Sequence, residues 1–137
     1  MKPDGVLESV LYADDLDAAE AFYSQTLGLE IIRPADDRQV FLRCGGGVLL
    51  IFNAAETRKP VAAQSPFPVP PHGALGSGHL CFRASAVEIE TWKSRLLSAG
   101  VEIEADFLWP SGGRSIYFRD PAGNSLEFAE PVIWGLE

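Results

Sequence analysis

The sequence contains the same order of predicted elements twice, and this internal repeat limits the possible folds more than any other feature. In each copy a short β-rich segment leads into an amphipathic helix, and three further strand candidates follow. The helices end at Gly28 and Gly100, 72 residues apart, and the matching runs "LGLEI" and "AGVEI" surround these glycines. The chain is therefore predicted to fold as two βαβββ modules, in the α+β class.

The bounds of the predicted elements follow from this pattern. The first module is expected to hold strands Val6–Tyr12, Leu29–Arg33, Gln39–Arg43 and Val48–Asn53, with a helix from Asp15 to Leu27. The second is expected to hold strands Gly78–Ala84, Val101–Glu104, Arg114–Arg119 and Ser125–Ala129, with a helix from Val87 to Ala99. We interpret residues 1–137 as a single domain, with module one at 5–53, a linker at 54–77, module two at 78–130 and a tail at 131–137. Neither module can bury its sheet face alone, so the two are expected to pair within the chain or across a homodimer.

The linker contains five of the ten prolines, which favour an extended path and exclude a central strand. A connection of this length is either mobile or covers a site as a lid. His72 in the linker is either a candidate metal ligand or an exposed loop residue.

Composition excludes several classes of function. The formal net charge of -8 argues against a nucleic-acid partner, which would require a basic surface. No apolar run approaches the roughly 20 residues that a membrane span needs, and no signal peptide is recognisable. The two cysteines do not form a disulfide framework and fit a reducing compartment, so we expect a cytoplasmic protein.

Three polar side chains are assigned to the sheet faces opposite the helices. Side chains alternate along a strand, and the Leu and Phe positions are the natural partners of the helices. This assignment places Glu8, His79, Glu127 and Cys81 on the sheet faces that point away from the helices. Two converging carboxylates would repel each other unless a divalent cation lay between them, and one imidazole with two carboxylates is a plausible three-ligand set. The alternative to a metal site is that both carboxylates are solvent-exposed surface groups and that His79 has only a structural role. Cys81 is interpreted as a small apolar residue that fills space.

Three segments together resemble the vicinal oxygen chelate superfamily, which includes glyoxalases, bleomycin resistance proteins and extradiol dioxygenases. These are "ESVLYADDLDAAEAFYSQTLGLEI", "GHLCFRA" and "GGRSIYFRDPAGNSLEFAEP", and the likeness spans nearly the whole chain. The resemblance implies paired βαβββ modules that form a cup-shaped mixed sheet with helices outside, commonly as a homodimer. It also implies one metal ligand from the first, fifth and last strands, at Glu8, His79 and Glu127. The bound ion would be Mn, Fe, Ni or Zn.

The resemblance implies a metal-dependent glyoxalase-like or dioxygenase-like enzyme that chelates a small oxygen-bearing substrate. Glu8 or Glu127 would act as a general base. The residues expected to shape the substrate pocket are Tyr12, Arg43, Trp109, Arg114 and Tyr117. The sequence departs from glyoxalase I-like members in one place, because "VLLIFN" offers no fourth carboxylate before Asn53. The alternative is a metal-free, bleomycin-resistance-like protein that binds a hydrophobic or cationic compound.

Overall fold

The computed structural model describes residues 1–137 and divides them into two compact units, Met1–Gly76 and Ser77–Glu137. The strands of the first unit are β1 (Glu8–Tyr12), β2 (Glu30–Arg33), β3 (Gln39–Cys44) and β4 (Gly47–Phe52). They form one sheet in the order β1-β4-β3-β2, in which β1 runs parallel to β4 and the other pairs are antiparallel. The sheet is therefore mixed, and its first and last strands in sequence are neighbours.

The second unit repeats this topology. Its strands are β5 (His79–Arg83), β6 (Ala105–Leu108), β7 (Arg114–Arg119) and β8 (Ser125–Ala129). The sheet order is β5-β8-β7-β6, and β5 and β8 form the parallel pair. The predicted repeat of βαβββ modules is confirmed.

Each unit has one main helical segment after its first strand. In the first unit, helix α1 (Leu16–Ala21) begins where the Asp15 side chain accepts a hydrogen bond from the Ala18 amide, and it continues as a π-helical turn over Phe22–Thr26. A single-turn helix, α2 (Ala54–Thr57), follows β4. In the second unit, helix α3 (Ala86–Ser98) begins at a capping box formed by Ser85 and Glu88. No helix combines the length and the hydropathy that crossing a bilayer requires.

Both helical segments cover one face of their sheets. In the first unit Leu11, Val40 and Ile51 are buried on this face. In the second unit the Trp92 ring of α3 stacks on Phe128 of β8, with ring centroids 4.6 Å apart. Because neighbouring residues of a strand point to opposite faces, Glu127 points away from α3.

One predicted strand was wrong. Residues Val101–Glu104 are not a strand, and the edge strand of the second unit is Ala105–Leu108 instead. The alternation in "VEIE" imitates a strand, but the Val101 amide still donates to the carbonyl of Leu96 and closes the end of α3. The linker differs from expectation as well, since α2 begins where the Asn53 side chain accepts from the Ala55 amide.

The tail forms a 3-10 turn over Pro131–Trp134 and returns to its own unit. A side chain at Gly113 would overlap Ile133 and Val132, so the tail packs closely on the turn that precedes β7. Trp134 itself is exposed.

A charged cluster on the helix side of the second sheet should make folding sensitive to acid. Arg114 donates two hydrogen bonds of 2.8 Å to Asp106, and Lys93 donates one of 2.6 Å. First Arg114 and then Lys93 hold the pKa of Asp106 well below its ordinary value. A carboxylate whose pKa is lower in the folded state stabilises the protein above its unfolded pKa of about 3.9, and this stabilisation is lost as the pH falls toward the folded value.

Asp106→Asn should therefore lower the free energy of unfolding at pH 7 by about 1–2 kcal/mol. The same variant should lose less stability than the parent between pH 5 and pH 2, in urea unfolding curves recorded across that range. Asp4→Asn, at an exposed position, is the control and should leave the curve unchanged. Parallel stability–pH curves for the Asp106→Asn variant and the parent would contradict this account.

Candidate functional site

The strand register of the second unit places three polar residues side by side on the face away from α3. Cys81 of β5 pairs with Glu127 of β8, which in turn pairs with Tyr117 of β7. Residues paired across neighbouring strands point to the same face. His79 lies on this face too, two residues before Cys81.

The carboxylate of Glu127 is buried and incompletely satisfied. The residue is 5% exposed, and its Oε1 atom has no hydrogen-bond partner. Its Oε2 atom lies 3.3 Å from Nε2 of His79. A buried carboxylate oxygen without a partner is costly, so a cation or a donor from outside the chain would stabilise it.

His79 is oriented so that its Nε2 atom is available to such a cation. Its Nδ1 atom lies 2.9 Å from the carbonyl oxygen of Ser125, which can only accept, so Nδ1 carries a proton. In the neutral ring, Nε2 then presents a lone pair toward Glu127. A histidine whose other nitrogen donates to a backbone carbonyl is the usual arrangement of a metal ligand. The Glu127 and His79 pair therefore fits one edge of a divalent metal site.

The turn between β7 and β8 fixes the alignment of this pair. The buried Asp120 carboxylate accepts from the amides of Ala122 and Asn124 and from the side chain of Asn124, at 2.8–3.0 Å. The Asn124 side-chain oxygen in turn accepts from the Gly78 amide at 2.7 Å, directly before β5. The same turn therefore sets the register of β8 and holds the start of β5, on which His79 lies.

Aromatic rings border the Glu127 and His79 pair. Tyr117 stacks with His79 on one side and with Phe107 on the other, at centroid distances of 6.2 and 5.9 Å. Trp109 meets Phe107 edge-on at 4.9 Å, and its indole nitrogen donates to Ser115 at 2.8 Å. This cluster forms an apolar wall beside a carboxylate.

Two further groups near Glu127 stay protonated at neutral pH. Burial, followed by interaction with Glu127, raises the pKa of Tyr117 to about 12. Burial and then the charge of Glu127 also raise the pKa of Cys81 to about 12. Tyr117 is therefore a hydrogen-bond donor, and the Cys81 thiol is a poor nucleophile.

Arg114 lies on the other face of the second sheet. Its guanidinium group binds Asp106 and also Glu90 of α3, at 2.6 Å, so it lies on the helix-covered face. Arg114 and Tyr117 are three residues apart in one strand, and residues at odd spacing point to opposite faces. Arg114 therefore does not line the same face as Tyr117.

The remaining predicted residues lie in the first unit. Glu8 is exposed on β1, opposite Val48, and Arg43 occupies the same row of the sheet. Arg43 forms an exposed ion pair with Glu30 at 3.1 Å. Tyr12 lies further along β1, where its hydroxyl is 2.7 Å from Nδ1 of His72.

The structure thus brings His79 and Glu127 together within the second unit, while Glu8 belongs to the first. Neither unit alone contains a group of three or more His, Cys, Asp or Glu side chains placed to hold a metal ion. Sequence reasoning missed Phe107 because it placed the edge strand four residues too early. It also missed Ser125, whose contribution is a backbone carbonyl that no side-chain pattern reveals.

Two mixed four-stranded sheets, each built from a βαβββ unit, define the vicinal oxygen chelate fold. The family model described as the Glyoxalase/Bleomycin resistance protein/Dioxygenase superfamily matches residues 5–128, and the chain belongs to this family. The early resemblance is therefore confirmed.

Solved structures agree with this assignment. A structure named as lactoylglutathione lyase from Agrobacterium tumefaciens is 43% identical, covers 99% of this chain and 100% of its own, and superposes with a TM-score of 0.92. A virulence protein from Salmonella typhimurium is 26% identical, with coverages of 95% and 98% and a TM-score of 0.67. A glyoxalase/bleomycin resistance protein/dioxygenase from Nocardioides, at 24% identity, coverages of 95% and 85% and a TM-score of 0.72, shares the fold.

Proposed function

We propose that this protein is a metal-dependent, glyoxalase-like enzyme that acts on a small substrate with neighbouring oxygen atoms. The observation that carries the proposal is the buried Oε1 atom of Glu127, which lacks a partner, beside the oriented Nε2 atom of His79. A buried polar atom without a partner requires an explanation, and a bound ion is one that fits the neighbouring His79 nitrogen.

In this proposal Glu8, His79 and Glu127 hold a divalent ion: Mn, Fe, Ni or Zn. Glu8 is contributed by the first unit of the same chain or of a second copy in a homodimer. When bound, the ion would supply a Lewis acid with open positions for two substrate oxygens.

The chain's own residues have separate tasks around the ion. Tyr117 keeps its proton and donates a hydrogen bond to a substrate oxygen, while Trp109 contributes to the apolar wall. Glu8 or Glu127 would accept a proton from the substrate as a general base. Tyr12 and Arg43 line the corresponding face of the first sheet, where Arg43 can exchange its exposed partner Glu30 for an anionic substrate group.

The named relative and the proposed ligand set leave three reaction types open. The Agrobacterium structure is named as a lactoylglutathione lyase, which favours an adduct of a thiol and a 2-oxoaldehyde. In this chain, however, the inward positions of β4 are Val48, Leu50 and Phe52, so a fourth carboxylate ligand is lacking there. A three-ligand site is also suited to catechol oxidation or to thiol addition to fosfomycin.

A second candidate is a metal-free binding protein of the bleomycin-resistance type. The stacked rings of Tyr117 and Phe107, with Trp109 and the carboxylate of Glu127 nearby, would suit a hydrophobic cation. In that case Glu127 Oε1 would receive its partner from the bound cation.

Metal binding separates the two candidates. The enzyme proposal predicts that the purified protein binds about one Mn²⁺, Ni²⁺ or Zn²⁺ per chain after incubation and dialysis, measured by elemental analysis and calorimetry. A thermal-shift screen of the loaded protein against thiol–oxoaldehyde adducts, catechols and fosfomycin should then show stabilisation by one class. Protein that stays metal-free with each of these ions present in excess would refute the enzyme proposal.

A further inference from the structure

The first unit contains a cavity whose lining includes none of the three proposed metal ligands. Its volume is about 580 Å³, and it lies between the ends of β3 and β4 and the linker segment 60–72. The apolar lining consists mainly of Phe41 and Phe52 from the sheet and Phe67 and Val69 from the linker. This size and composition are typical of a small-molecule site.

The linker wall of this cavity is attached to the sheet through His72. The Nδ1 atom of His72 lies 2.7 Å from the hydroxyl of Tyr12, and its backbone amide donates to Thr57 at 3.0 Å. Its ring also meets Phe52 edge-on, with centroids 4.9 Å apart. The segment is therefore held as a wall over β4.

The mouth of the cavity presents apolar surface that nothing in the unit covers. Phe67 is 79% exposed and Val69 is 57% exposed, although both side chains line the cavity. Exposed apolar groups at the mouth of a cavity indicate a site where a bound ligand would shield them from water. Together with Phe52 in the lining, they suit a flat ring.

One cation at the cavity has no carboxylate partner. The guanidinium group of Arg38 lies 5.9 Å from the centroid of Phe52, and its one polar contact is a long bond of 3.4 Å to the carbonyl of Glu56. The neighbouring Lys59 is neutralised by Glu56, and Asp36 accepts from the backbone amide of Arg38 rather than from its side chain. Arg38 therefore keeps donors for an anionic group near the ring position.

We propose that this linker cavity binds a planar aromatic anion, with its ring between Phe52 and Phe67 and its anionic group on Arg38. The residues involved lie between 38 and 72, and none of the proposed metal ligands Glu8, His79 and Glu127 is among them. Such a site would select ligands by their flat shape and negative charge, which the proposed metal chemistry does not do.

Three probes with the same ring and different charge test the proposal: 1-naphthoate, 1-naphthalenemethanol and 1-naphthylmethylamine. Each is titrated in buffer with EDTA, so that no divalent ion can hold the carboxylate, and the methyl NMR signals of Val61 and Val69 are followed. We expect 1-naphthoate to shift both signals saturably and to bind about tenfold more tightly than the alcohol. Equal affinities for the three probes, or shifts that avoid both valines, would overturn the proposal.

Variants then assign the contacts. Arg38→Gln should weaken 1-naphthoate binding about tenfold and abolish the preference for the acid over the alcohol. Phe67→Ala, at an exposed position, should weaken both ring probes about three- to tenfold without unfolding the protein. Arg33→Gln, on β2 outside the cavity, is the matched arginine control and should change nothing.

His79→Ala separates this proposal from the proposed enzyme, because it should remove metal binding and leave 1-naphthoate binding intact. An unchanged affinity in Arg38→Gln would refute the cavity proposal alone.

Discussion

Replacing Glu127 with glutamine should weaken metal binding by more than about 100-fold, since loss of even an outer-shell partner costs roughly 10–100-fold. The substitution keeps the shape of the side chain but removes its negative charge, and a neutral amide attracts a divalent cation less strongly than a carboxylate does. Calorimetric titration with Mn²⁺, Ni²⁺ and Zn²⁺ measures the effect, and His79→Ala should reproduce it. Glu102→Gln, at an exposed carboxylate of the same unit, is the matched control and should bind metal normally.

The same variant should not lose stability in the metal-free state. In the parent, Glu127 is 5% exposed and its Oε1 atom has no partner, so burying this carboxylate lowers the free energy of unfolding of the metal-free protein. Glutamine removes that charge, and the free energy of unfolding should stay equal or rise by about 1 kcal/mol. Weak metal binding with intact stability identifies Glu127 as a ligand, whereas an unchanged metal affinity in Glu127→Gln would show that it is not one.

Replacing Asn124 with alanine should both destabilise the protein and weaken its metal site. The side chain is 1% exposed, accepts from the Gly78 amide and donates to Asp120. Its loss leaves a buried amide and a buried carboxylate oxygen each short of one partner, so the free energy of unfolding should fall by about 2–3 kcal/mol. Because Gly78 precedes His79, metal affinity should fall about tenfold.

Asn53→Ala is the matched control for Asn124. Asn53 also accepts a backbone hydrogen bond, from Ala55, but it caps a helix of the first unit. Its replacement should cost about 1 kcal/mol and leave the metal affinity unchanged. Urea unfolding measures the stability of both variants, and calorimetry measures their metal affinity. Equal effects of the two substitutions would contradict a special role for Asn124.

The sequence predicted the repeat and the face of Glu127 because both depend on local rules. Strand alternation separates Glu127 from Phe128, and the stacking of Trp92 on Phe128 confirms which of the two faces the helix. The face of Arg114 depends on the same rule, because its odd spacing from Tyr117 places the two residues on opposite faces.

Other features depend on contacts that no local pattern contains. The edge strand Ala105–Leu108 is fixed by its pairing with β7, while "VEIE" has the stronger alternation. The Tyr12–His72 contact joins residues 60 apart, and the role of the Ser125 carbonyl depends on the rotation of the His79 ring. Whether Glu8 joins His79 and Glu127 stays a prediction.

The sheet order of the second unit has a consequence for how the unit is made. β8 is its last strand in sequence, yet it lies between β5 and β7, so β5 has no strand partner in this sheet until β8 has been synthesised. During translation, β5 therefore lacks its native strand partner until some 45 further residues have been added. The carboxylate of Glu127 arrives with the strand that completes the sheet. An incomplete nascent chain therefore has no assembled His79–Glu127 pair with which to capture a metal ion.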